Sequence, residues 1–183
     1  MKILITGVAG FIGFHLASHL LKENKNIVGI DSLNNYYDVD LKKERLTILK
    51  ENGLIFHQID ILDQTLLTSF VVDNKFDIIV HLAAQAGVRY SIINPKTYID
   101  TNINGFFNIL ECCRKVNIKH LIYASSSSVY GSNLEIPFEE KQNVNCPQNL
   151  YAVSKRSNEL MAYSYSNLFK FPSTGLRFFT VYG

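Results

Sequence analysis

Short, nearly continuous apolar runs alternate along the chain with longer stretches of helical periodicity. The runs at 2–6, 27–30, 54–57, 77–81, 119–124 and 173–178 are rich in Ile, Val, Leu and Phe, and they predict strands. The stretches at 11–22, 38–51, 66–72, 95–116 and 150–168 carry apolar residues three and four apart and predict helices, the fourth with Pro95 near its start. Residues 33–37 predict a loop. Strands without polar alternation are buried on both faces. Alternation with helices therefore predicts an α/β fold, a doubly wound parallel sheet. Ligands of such sheets lie at the carboxyl ends of the strands, so chemistry is expected there.

Composition narrows the class. The chain has 183 residues, 18 Lys+Arg against 16 Asp+Glu, and a formal charge of +2. A length of this order buries a real core, and so small a net charge points to neither a nucleic-acid partner nor a membrane surface. The apolar run from Ile3 to Leu21 is broken by Gly7, Gly10, Gly13, His15 and Ser18 and lacks a leader cleavage site, so neither a leader nor a membrane span is expected. Of the 3 cysteines, Cys112 and Cys113 are adjacent and Cys146 stands alone, which suits reduced thiols in a cytoplasmic protein. His15 and His19 have metal-ligand spacing but no third ligand, so no metal is expected. The run Lys42-Lys43-Glu44-Arg45 reads as a solvated helix face.

Gly7-Val8-Ala9-Gly10-Phe11-Ile12-Gly13 joins the first strand to the first helix. Gly7 permits a tight turn, Gly10 permits close approach of a diphosphate, and Gly13 permits close helix packing. The helix amino end offers free N–H groups and partial positive charge. Asp31 ends the second strand, where a carboxylate can hold an adenosine ribose diol; the alternative is a turn cap. No Arg follows it closely, which favours NAD over NADP. Asp60, with Ile61 after it, follows the third strand and could reach an adenine edge or be a plain loop carboxylate. Ala83 and Ala84, after the fourth, are small enough for a cofactor to pass close to the backbone.

A serine run, Ser125 to Ser128, follows the fifth strand, and Tyr151 and Lys155 lie one turn apart on the last helix. With 10 tyrosines in the chain, a Tyr-x-x-x-Lys pair is expected by chance, and its meaning comes only from the dinucleotide fold around it. A phenol is a poor base near neutrality, but a nearby ammonium and a cationic nicotinamide both favour the phenolate, and a serine hydroxyl can share the proton.

Taken in order, Thr6 to Gly13, His81-Leu82-Ala83-Ala84, Tyr123 to Gly131 and Tyr151-Ala152-Val153-Ser154-Lys155 resemble the extended short-chain dehydrogenase/reductases of the NAD-dependent epimerase/dehydratase family. That resemblance implies a Rossmann domain over 1–183 and NAD held by Gly7, Gly10, Phe11, Ile12, Gly13, Asp31, Asp60, Ile61, Ala83, Ala84, Asn102, Tyr151 and Lys155. Tyr151 would be the base, Lys155 would lower its pKa, and Ser126 would relay the proton. Asn102 and Gly105 match an Asn-x-x-Gly of the family, although a capping or solvent-facing Asn reads the same.

On the sugar side the resemblance places Arg89, Ser127, Ser128 and Thr180, Arg89 being equally able to pair with a carboxylate elsewhere. The family's dehydratases carry Thr-Asp-Glu where Ser126-Ser127-Ser128 stand, which turns the expectation from elimination to C4 epimerisation. Residues 31–39 and 83–91 are similar to UDP-glucuronate 4-epimerases. The expectation is an NAD-dependent epimerase of a UDP-sugar, and the resemblance implies a homodimer through the apolar faces of 102–116 and 150–168, although core packing accounts for many of the same residues. The alternatives are a non-catalytic NAD-binding piece and a dehydratase or reductase. Family members continue past Val181-Tyr182-Gly183 into a substrate domain, which is expected to be missing here.

Overall fold

The computed structural model describes residues 1–183. Six strands, β1 (Lys2–Thr6), β2 (Asn26–Asp31), β3 (Ile55–Gln58), β4 (Ile78–His81), β5 (His120–Ser126) and β6 (Ser173–Phe178), form one sheet in the order β3-β2-β1-β4-β5-β6. Every neighbouring pair runs parallel, the doubly wound arrangement that the alternation predicts. The helices are α1 (Phe11–Lys22), α2 (Val39–Glu51), α3 (Gln64–Asn74), α4 (Tyr90–Ile93), α5 (Pro95–Tyr98), α6 (Phe106–Val116) and α7 (Leu150–Phe169).

The period of two in β1 divides the core. Ile3 and Ile5 join Val8, Ala17, Leu46 and Leu49 under α1 and α2. Leu4 points the other way and joins Val28, Leu67, Ile79, Ile109 and Leu121 under α3 and α6. Each such Leu or Ile stabilises the fold by about 1.5–3 kcal/mol relative to an exposed position. Asp38, Asp63 and Asn149 begin α2, α3 and α7 by accepting backbone N–H bonds from the first turn. Lys75, Asn117 and Lys170 end α3, α6 and α7 in the left-handed conformation.

The helix expected over 95–116 is not one helix. Residues Ile99–Gly105 form a π-helical stretch between α5 and α6. Gly105 sits there with its Cα against Ile61, where an added Cβ would lie 2.5 Å from the Ile61 Cδ1. Periodicity cannot reveal such a widened turn, because it shifts the apolar stripe by a fraction of a turn only. The short α4 and a 3-10 turn at Ser127–Tyr130 are further elements the apolar pattern does not signal.

Candidate active site

A cleft of about 620 Å³ opens along the carboxyl ends of the strands. β1 and β4 are neighbours, and the chain runs from β1 to β2 on one side and from β4 to β5 on the other, so the loops that follow these two strands part above the sheet. The cleft is lined by Gly7, Gly10, Phe11, Ile12 and Gly13 from the turn after β1, by Asp31, Asp60 and Ile61 on one side, and by Ala83, Ala84, Ser126, Tyr151 and Lys155 on the other. The structure thus brings these expected residues to one surface.

The glycine turn is built for close approach. Gly7 has φ +71°, and a Cβ on it would lie 2.7 Å from the Ala83 nitrogen. Gly13 has the Gly7 carbonyl directly over its Cα, so any side chain there would push α1 off the sheet. Gly10 caps α1 in an extended conformation with no side-chain bond. The helical ladder starts with Phe14 N donating to Gly10 O at 2.9 Å, which leaves the amides of Phe11, Ile12 and Gly13 ahead of it. An anion is the ligand that such an end favours.

Asp31 both caps and lines. Its Oδ1 accepts from Leu33 N at 2.9 Å and its Oδ2 from Ala9 N at 3.1 Å, and it still borders the cleft. Asp60 accepts from Leu62 N at 2.9 Å, the turn-capping alternative, and borders the cleft as well.

On the other side, Tyr151 lies in the first turn of α7 and Lys155 one turn on. Lys155 is only 4% exposed, donates from Nζ to the Ala124 carbonyl at 2.9 Å, and has its pKa pushed down to about 8 by burial. Ser126 Oγ accepts from Ser128 N at 3.1 Å, so its own proton is free to be given toward the Tyr151 phenol. Burial raises the phenol above its ordinary value, and the Ser126 hydroxyl beside it opposes that rise. Desolvation dominates, and the ammonium is turned to a backbone carbonyl of β5.

Four expected sugar-side residues and one cofactor-side residue fall outside the cleft lining. Arg89 is exposed ahead of α4, Thr180 is exposed after β6, and Ser127 and Ser128 are half-buried in the 3-10 turn. Asn102 is 2% exposed and does not line the cleft. Its Oδ1 accepts from Gln85 N at 2.7 Å, and its Nδ2 donates to Gln85 O and Ser154 Oγ, each at 3.0 Å. Its own carbonyl accepts from Asn158 at 2.6 Å. With its amide fully engaged, Asn102 ties the segment after β4 to the helix that carries Tyr151 and Lys155.

The sequence also hid several residues at the site. Lys42 is not solvated as the charge run suggests. It is 4% exposed and donates to Asn34 O at 2.7 Å and Asn34 Oδ1 at 2.8 Å. Lys42 and Arg45 both border the cleft near Asp31, so cations do stand at that end, although no Arg follows Asp31 closely in sequence. The signal was the buried period Lys42, Leu46, Leu49 on α2. Tyr98, fully buried, donates to the Ala86 carbonyl at 2.8 Å and sets its ring edge against Tyr151 at 6.1 Å. His81, also buried, has its pKa pushed down to about 3 by burial and by the Lys155 charge, with Nδ1 2.8 Å from Thr6 Oγ1. No three His, Cys, Asp or Glu residues come together as a metal site, and no helix is long and apolar enough to cross a membrane.

Comparison with known proteins agrees with this geometry. Residues 3–183 match the NAD dependent epimerase/dehydratase family. The chain belongs to that family. Protein CapI of Staphylococcus aureus is 56% identical over 183 residues, which are all of this chain and 55% of CapI. A probable UDP-glucuronate 4-epimerase of Rhizobium meliloti is 49% identical over 184 residues, all of this chain and 54% of that protein. Among solved structures, the UDP-glucuronic acid 4-epimerase of Bacillus cereus, in complex with UDP-glucuronic acid and NAD, matches with a TM-score of 0.91 and 38% identity, over all of this chain and 58% of that one. This member of the epimerase/dehydratase family thus spans little more than half the length of these relatives.

Proposed function

We propose that the whole protein is an NAD-dependent UDP-sugar 4-epimerase acting on UDP-glucuronate, and that the chain described here carries its cofactor and proton-transfer site. The observation that carries this reading is the meeting of Tyr151, Ser126 and Lys155 in one cleft with an uncapped, glycine-lined helix end. The relatives' printed activities support it. The residues fit a dinucleotide: Gly7 and Gly13 leave room for close approach, the α1 amides suit a diphosphate, and Asp31 suits a ribose diol.

Held by the glycine turn and Asp31, NAD would supply a reversible acceptor for the C4 hydride with no net change in its oxidation state. The chain's own residues move the proton. With the cofactor bound, a cationic nicotinamide and the Lys155 ammonium would together favour the Tyr151 phenolate, whose Oη would take the proton of sugar O4 as the C4–O4 bond becomes a carbonyl and would give it back on return. Ser126 Oγ, fixed by the Ser128 amide, donates to the same oxygen and polarises it. Lys155 holds a positive charge beneath the site from its seat on the Ala124 carbonyl. The placement of the acidic residues supports epimerisation over elimination. The only acidic residues lining the cleft, Asp31 and Asp60, follow β2 and β3 on the far side of β1 from Tyr151.

The test is a product assay of the whole protein with UDP-glucuronate, together with nucleotide analysis of the purified chain. The expected results are UDP-galacturonate without net NADH and NAD released on denaturation. A 4-keto-6-deoxy product, stoichiometric NADH, or an enzyme inert toward every UDP-sugar would overturn the reading.

We further propose a cytoplasmic homodimer through the outer faces of α6 and α7, where Phe107, Leu160 and Leu168 stay exposed. Sedimentation should give twice the monomer mass, and Leu160→Glu should return it to one.

A further inference from the structure

The backbone of Ala9, which leads into the amino end of α1, is held at both its nitrogen and its carbonyl oxygen. Ala9 N donates to Asp31 Oδ2 at 3.1 Å. Ala9 O accepts from Arg45 Nη1 at 3.3 Å and from Tyr37 Oη at 3.4 Å, and Arg45 also reaches the Tyr37 hydroxyl at 3.4 Å. Each contact is long, but the three close a triangle around one carbonyl, and both side chains are held elsewhere. The Arg45 guanidinium lies 5.9 Å from the Phe11 ring centroid and 5.8 Å from that of Phe14, both on α1. The Tyr37 ring lies under the Lys42 ammonium at 4.3 Å. Arg45 forms no ion pair with any carboxylate, and it borders the cleft beside Asp31.

A carbonyl fixed in this way fixes the peptide plane between Ala9 and Gly10, and with it the direction of the amides that follow. Gly10 itself cannot do so, since glycine has the freest backbone and this cap has no side chain. The positive charge left on Arg45 has no carboxylate to neutralise it and stands at the end of α1 that favours an anion.

We infer that Arg45, helped by Tyr37, is a positioning residue for the diphosphate of the cofactor, and that it sets how firmly the protein retains NAD. The inference rests on the NAD site proposed above. With the triangle intact the cofactor behaves as a resident group; with Arg45 removed it becomes exchangeable.

The experiment measures binding to the chain stripped of nucleotide, by calorimetry, with NAD, ADP-ribose and adenosine as probes. Arg45→Ala should weaken NAD and ADP-ribose about tenfold and equally, and adenosine by less than about twofold, because adenosine has no diphosphate. Tyr37→Phe should weaken the first two by about two- to threefold. Arg45→Lys, which keeps the charge and one donor, should recover part of the loss, and it serves alone if Arg45→Ala does not fold. Unchanged NAD binding, or an equal loss for all three probes, would overturn the inference while leaving the cofactor site standing. A wild-type chain that binds neither NAD nor ADP-ribose would overturn both.

Discussion

Tyr151→Phe should lower epimerisation of UDP-glucuronate by the whole protein about a thousandfold or more, while NAD content stays at the wild-type level. The loss follows from chemistry and not from packing. The substitution keeps the ring that meets Tyr98 edge-on at 6.1 Å and removes only the oxygen that would carry the O4 proton. General acid–base groups contribute about 10²- to 10⁴-fold, and a thousandfold is about 4 kcal/mol of barrier. The ground-state structure should hardly notice. Desolvation already keeps the phenol protonated in the free protein, so no buried charge is removed. Steady-state assays with NAD quantified from the same preparation decide the matter: turnover within about tenfold of wild type would remove Tyr151 from the proton path.

Lys155→Met should be the second large effect, and it has two signatures. Turnover should fall about 10²- to 10⁴-fold, since the ammonium expected to favour the Tyr151 phenolate once the cofactor is bound is gone. The second signature is in stability. The folded pKa of about 8 lies below the ordinary value for lysine, so between pH 8 and about 10.4 the unfolded chain binds a proton that the native one does not. Stability contributed by this group must then rise with pH across that window, and be flat below it. The gain amounts to about 3 kcal/mol at most. Denaturant melts from pH 7 to pH 10 should show wild type gaining on Lys155→Met, since the difference cancels the tyrosines and cysteines that titrate in both. A constant difference would mean that the ammonium is not desolvated by the fold. Met was chosen because it fills a similar volume, although the Ala124 carbonyl loses its donor at every pH alike.

The parts of this site that the sequence displays are those built from local chemistry. Gly7, Gly10 and Gly13 announce a tight turn because no other residue tolerates the backbone approach they make to Ala83 and to each other. Apolar strands and the Tyr151–Lys155 spacing are equally local. What could not be read is where long side chains go. Lys42 sits in a run of charges that looks wet, and only the fold supplies Asn34 and the Tyr37 ring to bury it against. Asn102 fits a cofactor motif by spacing, but the π-helical stretch around it directs its amide to Gln85 and Ser154. The protonation of Tyr151 depends on how much water the fold removes from it, which spacing on a helix does not encode.

The Asn102 knot has a consequence for how this scaffold can change. One amide joins the wall after β4 to the helix bearing tyrosine and lysine, so a shift in either is passed to the other, and the chemical half behaves as a single mechanical part. Arg89, Ser127, Ser128 and Thr180 lie off that knot. Their side chains make none of its bonds, so a change of side chain at any of the four leaves that linkage intact.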